Sequence, residues 1–214
     1  MSGPVRVSVS ESGLDAAAAA AAKALSAGGL VVIPTDTVYG LAASLQHRQA
    51  IRAIFHAKNR PPDTPIPVLV ASIAEAEGLV PGELEAHEAL LRRFWPGALT
   101  VIVGSSPVIP NEVTAGRGTV GLRQPDSPVA VAILRAAGGA LAVTSVNLSG
   151  DPPACEAAQL PDALLRYVAL VIDAGHCPGR AASTVLDLSV APPRVLREGP
   201  IAREELRELL PNLT

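Results

Sequence analysis

Residues 30–40 read LVVIPTDTVYG. LVVIP (30–34) is an apolar run of strand length that Pro34 closes, and TDTVYG (35–40) is a polar turn of small hydroxyl residues ending in glycine. Upstream, LDAAAAAAAKALSA (14–27) has high helix propensity and stops at Gly28-Gly29. Downstream, residues 46–57 set Ala50, Ile51, Ile54 and Phe55 at helical spacing. A helix, a buried strand, a polar turn and a second helix make the layered alternation of an α/β chain.

The same alternation runs to the C-terminus. KNRPPDTP (58–65) carries three prolines and cannot be helical. PVLVA (67–71) reads as a buried strand in which Pro67 predicts an edge or strand-start position. Residues 83–94 read as a helix ending at Trp95-Pro96-Gly97, and LTVIV (99–103) and TVGLR (119–123) as strands. Ser127-Pro128 is an N-cap with proline at the first helical position, opening a helix that ends at Gly138-Gly139. ALAVT (140–144) leads into SVNLSG; ALVID (169–173), STVLDLS (183–189) and RVLRE (194–198) follow, and a helix from about Ala202 to Leu210 presents Leu206, Leu209 and Leu210. The late strands have few helices between them, which predicts a mixed parallel and antiparallel sheet flanked by helices. No linker divides residues 1–214, so a single domain is expected, with its core over about 14–201.

Composition narrows the function. Of 214 residues, 49% are hydrophobic and 2% aromatic, and the net charge is −3. Disorder is excluded, and a protein holding nucleic acid chiefly by counterion release is disfavoured. Cys155 and Cys177 make no CxxC, and the four histidines are scattered at 47, 56, 87 and 176, so neither a zinc cluster nor a disulfide framework is indicated. The N-terminus shows no signal-peptide pattern, and the alanine run is too short to span a bilayer. The expected location is cytoplasmic, with no membrane partner.

Three polar segments interrupt this apolar chain: PTDTVYG, KNRPPDTP and TSVNLSG. Ligands collect where strand ends meet loops, and small hydroxyl and amide side chains suit an oxygen-rich ligand. These residues are also ordinary turn formers, so each segment alone leaves both readings open. The chain has only two lysines, Lys23 and Lys58, against fifteen arginines. Lys58 stands two residues before Arg60 in a proline-stiffened loop, where an ammonium beside a guanidinium suits a polyphosphate. Cations at a helix C-terminus also favour the macrodipole, an equal alternative. Gly116-Arg117-Gly118-Thr119-Val120-Gly121 fits GxGxxG but enters a strand rather than opening a helix, against a dinucleotide fold. GxxxxGK[ST], HExxH and GxSxG do not occur. Asp36 could touch a metal or cap its own turn.

Taken together, these segments resemble the YrdC-type L-threonylcarbamoyladenylate synthases. The pieces occur in family order from about Gly28 to about Ile201: PTDTVYGL (34–41), K-x-R-P (58–61), WPGALT (95–100), VGLRQP (120–125), TSVNLSG (144–150), STVLDL (183–188) and VLREGPI (195–201). The resemblance implies a catalytic tetrad of Lys58, Arg60, Ser145 and Asn147. It implies ATP held by Lys58, Arg60, Thr119, Asn147 and Arg197, and threonine held by Thr35, Arg123, Ser145 and Ser183. The implied reaction turns L-threonine, bicarbonate and ATP, with Mg²⁺ arriving on the nucleotide, into threonylcarbamoyl-AMP and pyrophosphate. The implied destination is N6-threonylcarbamoylation of adenosine 37 of tRNA by separate partner proteins, with weak tRNA contact as a further expectation. The fold implied is a twisted mixed sheet flanked by helices, in the short form without an extra C-terminal domain. Thr64 and Leu69 stand where many members have Asn and His, and Cys155 where longer relatives have an ATP-contacting Thr. The rival readings are a non-catalytic RNA-binding module of the same fold and a paralogue acting on another carbamoyl substrate; five aromatic residues in the whole chain weigh against the first.

Overall fold

The computed structural model describes residues 3–148, 150–179 and 181–214, so Ser149 of the TSVNLSG segment lies outside the described residues. Ten strands form one sheet: β1 Val5–Ser8, β2 Leu30–Ile33, β3 Gly40–Ser44, β4 Val68–Val70, β5 Leu99–Gly104, β6 Thr119–Arg123, β7 Ala140–Ser145, β8 Val168–Asp173, β9 Thr184–Asp187 and β10 Arg194–Arg197. Their order is β1-β8-β2-β3-β7-β4-β6-β5-β9-β10. β1, β8 and β2 run parallel, as do β4 with β6 and β5 with β9. The remaining neighbours are antiparallel, giving the mixed sheet that the sequence predicts.

The elements form where local chemistry favours them. The helix Leu14–Ser26 buries Ala17, Ala18, Ala21 and Leu25 on one stripe, and its small side chains let it lie close to the helix Pro128–Ala136. Ser127 caps that second helix, its hydroxyl accepting from the Ala130 amide at 3.3 Å, with Pro128 in the first turn. The helix Arg48–Lys58 buries Ala50, Ile51, Ile54 and Phe55, as the spacing predicts.

Two expected helices are shorter than predicted, and two strands went unread. The stretch 83–94 is a 3-10 turn, Glu85–His87, followed by the helix Glu88–Phe94, and the C-terminal helix is only Arg203–Arg207. β1 was not read: VRVS alternates valine with polar residues, but four residues near the N-terminus are too short to mark a strand that exists by pairing with β8. β3 (GLAAS) lacks strand-forming side chains; it is fixed by neighbours on both edges, and a Cβ on Gly40 would stand 2.5 Å from Val143 Cγ1. Of the two positions expected for Pro67, the structure shows the strand start: Pro67 immediately precedes β4, which is central rather than an edge, and its carbonyl accepts from the Val143 amide at 2.9 Å.

The two faces of the sheet are covered unequally. On one face, Leu30, Val32, Leu41, Val68, Val70, Leu99, Val101, Val120 and Leu122 join the larger core with the helices Arg48–Lys58 and Glu88–Phe94. On the other, the helices Leu14–Ser26 and Pro128–Ala136 pack over Val31, Ile33, Ala42, Leu69, Leu141 and Val143. The two helices contact strands from β8 through β4. The face of β6, β5, β9 and β10 beyond them is left as the floor of a cavity.

Candidate functional site

That cavity has a volume of about 540 Å³, within the usual range for a small-molecule site. Strand alternation builds its floor. Thr119, Gly121 and Arg123 of β6 line it, while Val120 and Leu122 face the core. Thr100 and Ile102 of β5 and Val185 and Asp187 of β9 line it in the same way. Gly121 keeps the floor low, since a Cβ there would come within 3.2 Å of Thr100 Cγ2.

The K-x-R and S-x-N segments meet at one corner. Lys58 is the last residue of its helix; Asn59 is left-handed (φ 50°, ψ 43°), and the Arg60 amide returns to the Phe55 carbonyl at 2.9 Å. This C-terminal turn reverses the chain and brings both cations to the same side. Across from it, β7 ends at Ser145, Val146 is buried, and Asn147 follows on the side of Ser145. Ser145 Oγ donates to Asn147 Oδ1 at 2.7 Å. Lys58 Nζ donates to the Ser145 carbonyl, to the Asn147 carbonyl at 2.9 Å and to Asn147 Oδ1 at 2.8 Å. All three ammonium protons are thereby directed at this turn. Asn147 Nδ2 donates to the carbonyls of Leu148 and Asp151 at 3.0 and 2.8 Å. Arg60 Nη1 donates to Thr144 Oγ1 at 3.0 Å and Nη2 to the Pro65 carbonyl at 2.8 Å, and its buried Nε has no partner among the described residues. Arg60, Thr144 and Ser145 line the cavity; Lys58 and Asn147 stand behind them.

A second corner is built on the first polar turn. Thr35 is buried; its Oγ1 accepts from the amides of Thr37 and Val38 and donates to the Val38 carbonyl at 2.6 Å, so its hydroxyl shapes the turn. Arg123 is 5% exposed. Its Nη2 donates to Asp36 Oδ1 at 2.6 Å, Nη1 to Thr37 Oγ1 at 2.8 Å and Nε to the Gly97 carbonyl at 2.8 Å. Three of its five N–H groups are committed, and the guanidinium lines the cavity in a fixed orientation. The segment carrying Gly179 presses on this turn; a Cβ on Gly179 would lie 2.6 Å from the Asp36 carbonyl oxygen.

The third wall comes from the C-terminal strands. Arg197 Nε and Nη2 both donate to the Ser183 carbonyl, at 3.0 and 2.7 Å, and Ser183 Oγ meets Thr100 Oγ1 at 2.7 Å. Gly199 makes this approach possible: a Cβ there would lie 2.5 Å from the Ala182 carbonyl oxygen and 2.6 Å from the Ser183 carbonyl carbon.

Charge is unbalanced around this space. Arg60, Arg117, Arg123, Arg194 and Arg197 line it, against one carboxylate, Asp187, among the described residues. Asp187 is itself bonded to Ser189 and faces Arg194 at 3.4 Å. Burial, then the neighbouring Arg60, pushes the Lys58 ammonium down to about 8. Burial and a nearby arginine likewise lower Arg60 (through Arg197) and Arg197 (through Arg123). Burial lowers Arg123 as well, with Asp36 opposing it. Crowded cations of this kind relax when a polyanion enters.

Eight of the nine residues singled out from the sequence surround one space, either on the cavity wall or, for Lys58 and Asn147, bonded directly behind it; the ninth, Thr119, lines the floor. Sequence reasoning missed Thr37, Thr100 and Thr144, although each lies inside a quoted motif, because nothing local shows which hydroxyl meets Arg123, Ser183 or Arg60. Asp36, open between metal ligand and turn cap, is the ion-pair partner of Arg123. Leu69, where many relatives have His, lines the wall with an apolar surface.

A half-open mixed sheet with an arginine-lined cavity at its uncovered end defines an α/β protein whose cavity is suited by charge to a multiply charged small anion. The chain belongs to the Sua5/YciO/YrdC family: the family model described as "Telomere recombination" matches residues 23–199. It is 44% identical over 187 residues to a Mycobacterium tuberculosis protein provisionally named threonylcarbamoyl-AMP synthase, covering 87% of this chain and 86% of that protein. It is 38% identical to the threonylcarbamoyl-AMP synthase of Bacillus subtilis, over 85% of this chain and 53% of that protein. A crystal structure of Pyrococcus abyssi Sua5 complexed with L-threonine superposes with a TM-score of 0.88 at 32% identity, covering 98% of this chain and 62% of that one.

Proposed function

We propose that this protein is an L-threonylcarbamoyladenylate synthase, joining L-threonine, bicarbonate and ATP with release of pyrophosphate. The observation that carries the reading is the single cavity lined by Arg60, Arg117, Arg123, Arg194 and Arg197 together with the hydroxyls of Thr119, Ser145 and Ser183, a lining suited to phosphate and carboxylate groups. Threonine-binding and synthase relatives agree with it.

In this reading the threonine carboxylate pairs with the two uncommitted N–H groups of Arg123, and Thr35 and Ser183 close the amino-acid end. The threonine amine attacks the bicarbonate carbon, an N–C bond forming as a C–O bond breaks and water leaves. The resulting carbamate attacks the α-phosphorus: a carbamate O–P bond forms, the P–O bond to the β-phosphate breaks, and its electron pair leaves with pyrophosphate. Such transfer asks for positioning and charge stabilisation rather than a covalent nucleophile. Arg60, Arg197 and the Lys58 charge behind the wall stabilise the phosphates, and Thr119, Ser145 and the turn fixed by Asn147 orient them. Mg²⁺ fits this donor set only as a companion of the nucleotide, since the one wall carboxylate already faces Arg194; phosphate oxygens and water would hold it. The product then passes to separate proteins that modify tRNA. No helix among the described residues is long and apolar enough to cross a membrane, and the work is assigned to the cytoplasm.

The test supplies ATP, bicarbonate and each amino acid in turn and measures pyrophosphate. Release stimulated by threonine is expected; release indifferent to threonine overturns the reading.

A further inference from the structure

The GRG sequence at 116–118 has no part in the roles given so far. Gly116 and Gly118 both hold positive φ, 70° and 67°. A Cβ on either would meet nothing within 4 Å. Packing therefore does not demand these glycines; what they supply is a left-handed backbone on either side of Arg117.

Arg117 lies in the left-handed bend just before β6, outside the strand row Thr119, Gly121, Arg123, and it lines the cavity together with that row. Thr119, where the strand begins, is four residues or about 13 Å of strand from Arg123. The register shows what it stands beside. β4 sets Val68 opposite both Leu122 and Ala142. Thr119 and Ser145 each lie three residues from those partners toward the same end, so the two are level. Thr119, and Arg117 just before it, thus stand at the end of the cavity occupied by Ser145 and Arg60. Its Nη2 donates to the Asp63 carbonyl at 2.9 Å, while Arg60 Nη2 donates to the Pro65 carbonyl at 2.8 Å. Two guanidiniums from different elements therefore hold one proline-rich bend. They differ in what they would give up. Arg60 is part-buried, whereas Arg117 is exposed, with a single bond to a neutral carbonyl among the described residues. Exchanging that bond for a phosphate oxygen replaces a neutral acceptor by a charged one, with a hydrogen bond about twice as strong.

We propose that Arg117 is a further ATP-binding residue that grips the terminal phosphates, the part of the nucleotide that leaves as pyrophosphate, by releasing the Asp63 carbonyl. This rests on the reading of the cavity as an ATP site. The experiment measures equilibrium binding of ATP, AMP and pyrophosphate by calorimetry to the intact protein and to Arg117→Ala and Arg117→Lys, with melting curves as the control of fold. In Arg117→Ala, affinity for ATP and pyrophosphate is expected to fall about tenfold, with AMP unchanged and melting unchanged; Arg117→Lys restores part of the loss. In turnover, KM for ATP rises by a similar factor while kcat stays within about twofold. Unchanged ATP and pyrophosphate affinities, or an equal loss for AMP, overturn the role of Arg117. Failure of the unsubstituted protein to bind either ATP or pyrophosphate instead overturns the ATP-site reading itself.

Discussion

Replacing Lys58 by methionine keeps most of the stem and removes the charge. Lys58 is 3% exposed, and its three donors hold the carbonyls of Ser145 and Asn147 and the side chain of Asn147. Hydrogen bonds from a charged group contribute about 1.5–3 kcal/mol each, so three amount to about 5–9 kcal/mol. Against this stands the relief of burying an ammonium: the drop from 10.5 to about 8 corresponds to about 3 kcal/mol. Water entering from the adjoining cavity, together with the Ser145 Oγ bond that Asn147 Oδ1 keeps, recovers part of the remainder. The net loss is about 2–4 kcal/mol, in line with removing one partner from a buried charged cluster. For a chain of this length that lowers the melting temperature by about 5–15 °C. A loosened Ser145–Asn147 turn also means that kcat, measured as threonine-stimulated pyrophosphate release, falls by at least about a hundredfold even at saturating ATP. Two results refute the reasoning. Melting within about 2 °C of the unsubstituted protein shows that the three bonds contribute no net stability. A kcat restored by saturating ATP shows that Lys58 only neutralises charge and does not hold the turn.

Two further perturbations test other parts of the site. Triphosphate in the cavity favours the ammonium form of Lys58 and raises its depressed value of about 8. ATP binding is therefore expected to take up protons near that pH, and affinity declines as pH rises through it; calorimetry in buffers of different ionisation heat checks this, and binding without proton uptake contradicts it. The sign for folding is opposite: the unfolded chain binds the lysine proton up to about 10.5, so the burial penalty is complete below about 8 and disappears by about 10.5. Gly199→Ala places a methyl group against the backbone of Ala182 and Ser183; a loss of about 2–4 kcal/mol by denaturant unfolding and a raised KM for ATP are expected. Melting and KM equal to those of the unsubstituted protein would mean that this approach of strands does not position Arg197.

Much of the fold is legible because it is local. Ser127-Pro128 opens its helix as a cap and first-turn proline should, and the prolines after Lys58 stop another helix close to where it ends. Strands with branched apolar runs are visible, whereas GLAAS (40–44) and VRVS (5–8) are not, since their state is decided by the neighbours they pair with. The candidate site divides in the same way. Motif order picks out Lys58, Arg60, Ser145 and Asn147, but not that every Lys58 donor turns toward the S-x-N segment. The GRG segment looks like a misplaced dinucleotide fingerprint until the fold sets Arg117 on the cavity wall, bonded to the same proline-rich bend as Arg60.

By itself, then, the sequence determined the alternation of helices and strands, the turns that punctuate it and the chemistry of the polar segments, because those follow from backbone preferences and side-chain type over a few residues. Only the tertiary structure decided that two helices cover part of one sheet face and leave β6, β5, β9 and β10 open. Strand order depends on pairings between residues far apart in the chain, and no local pattern records which of them will meet.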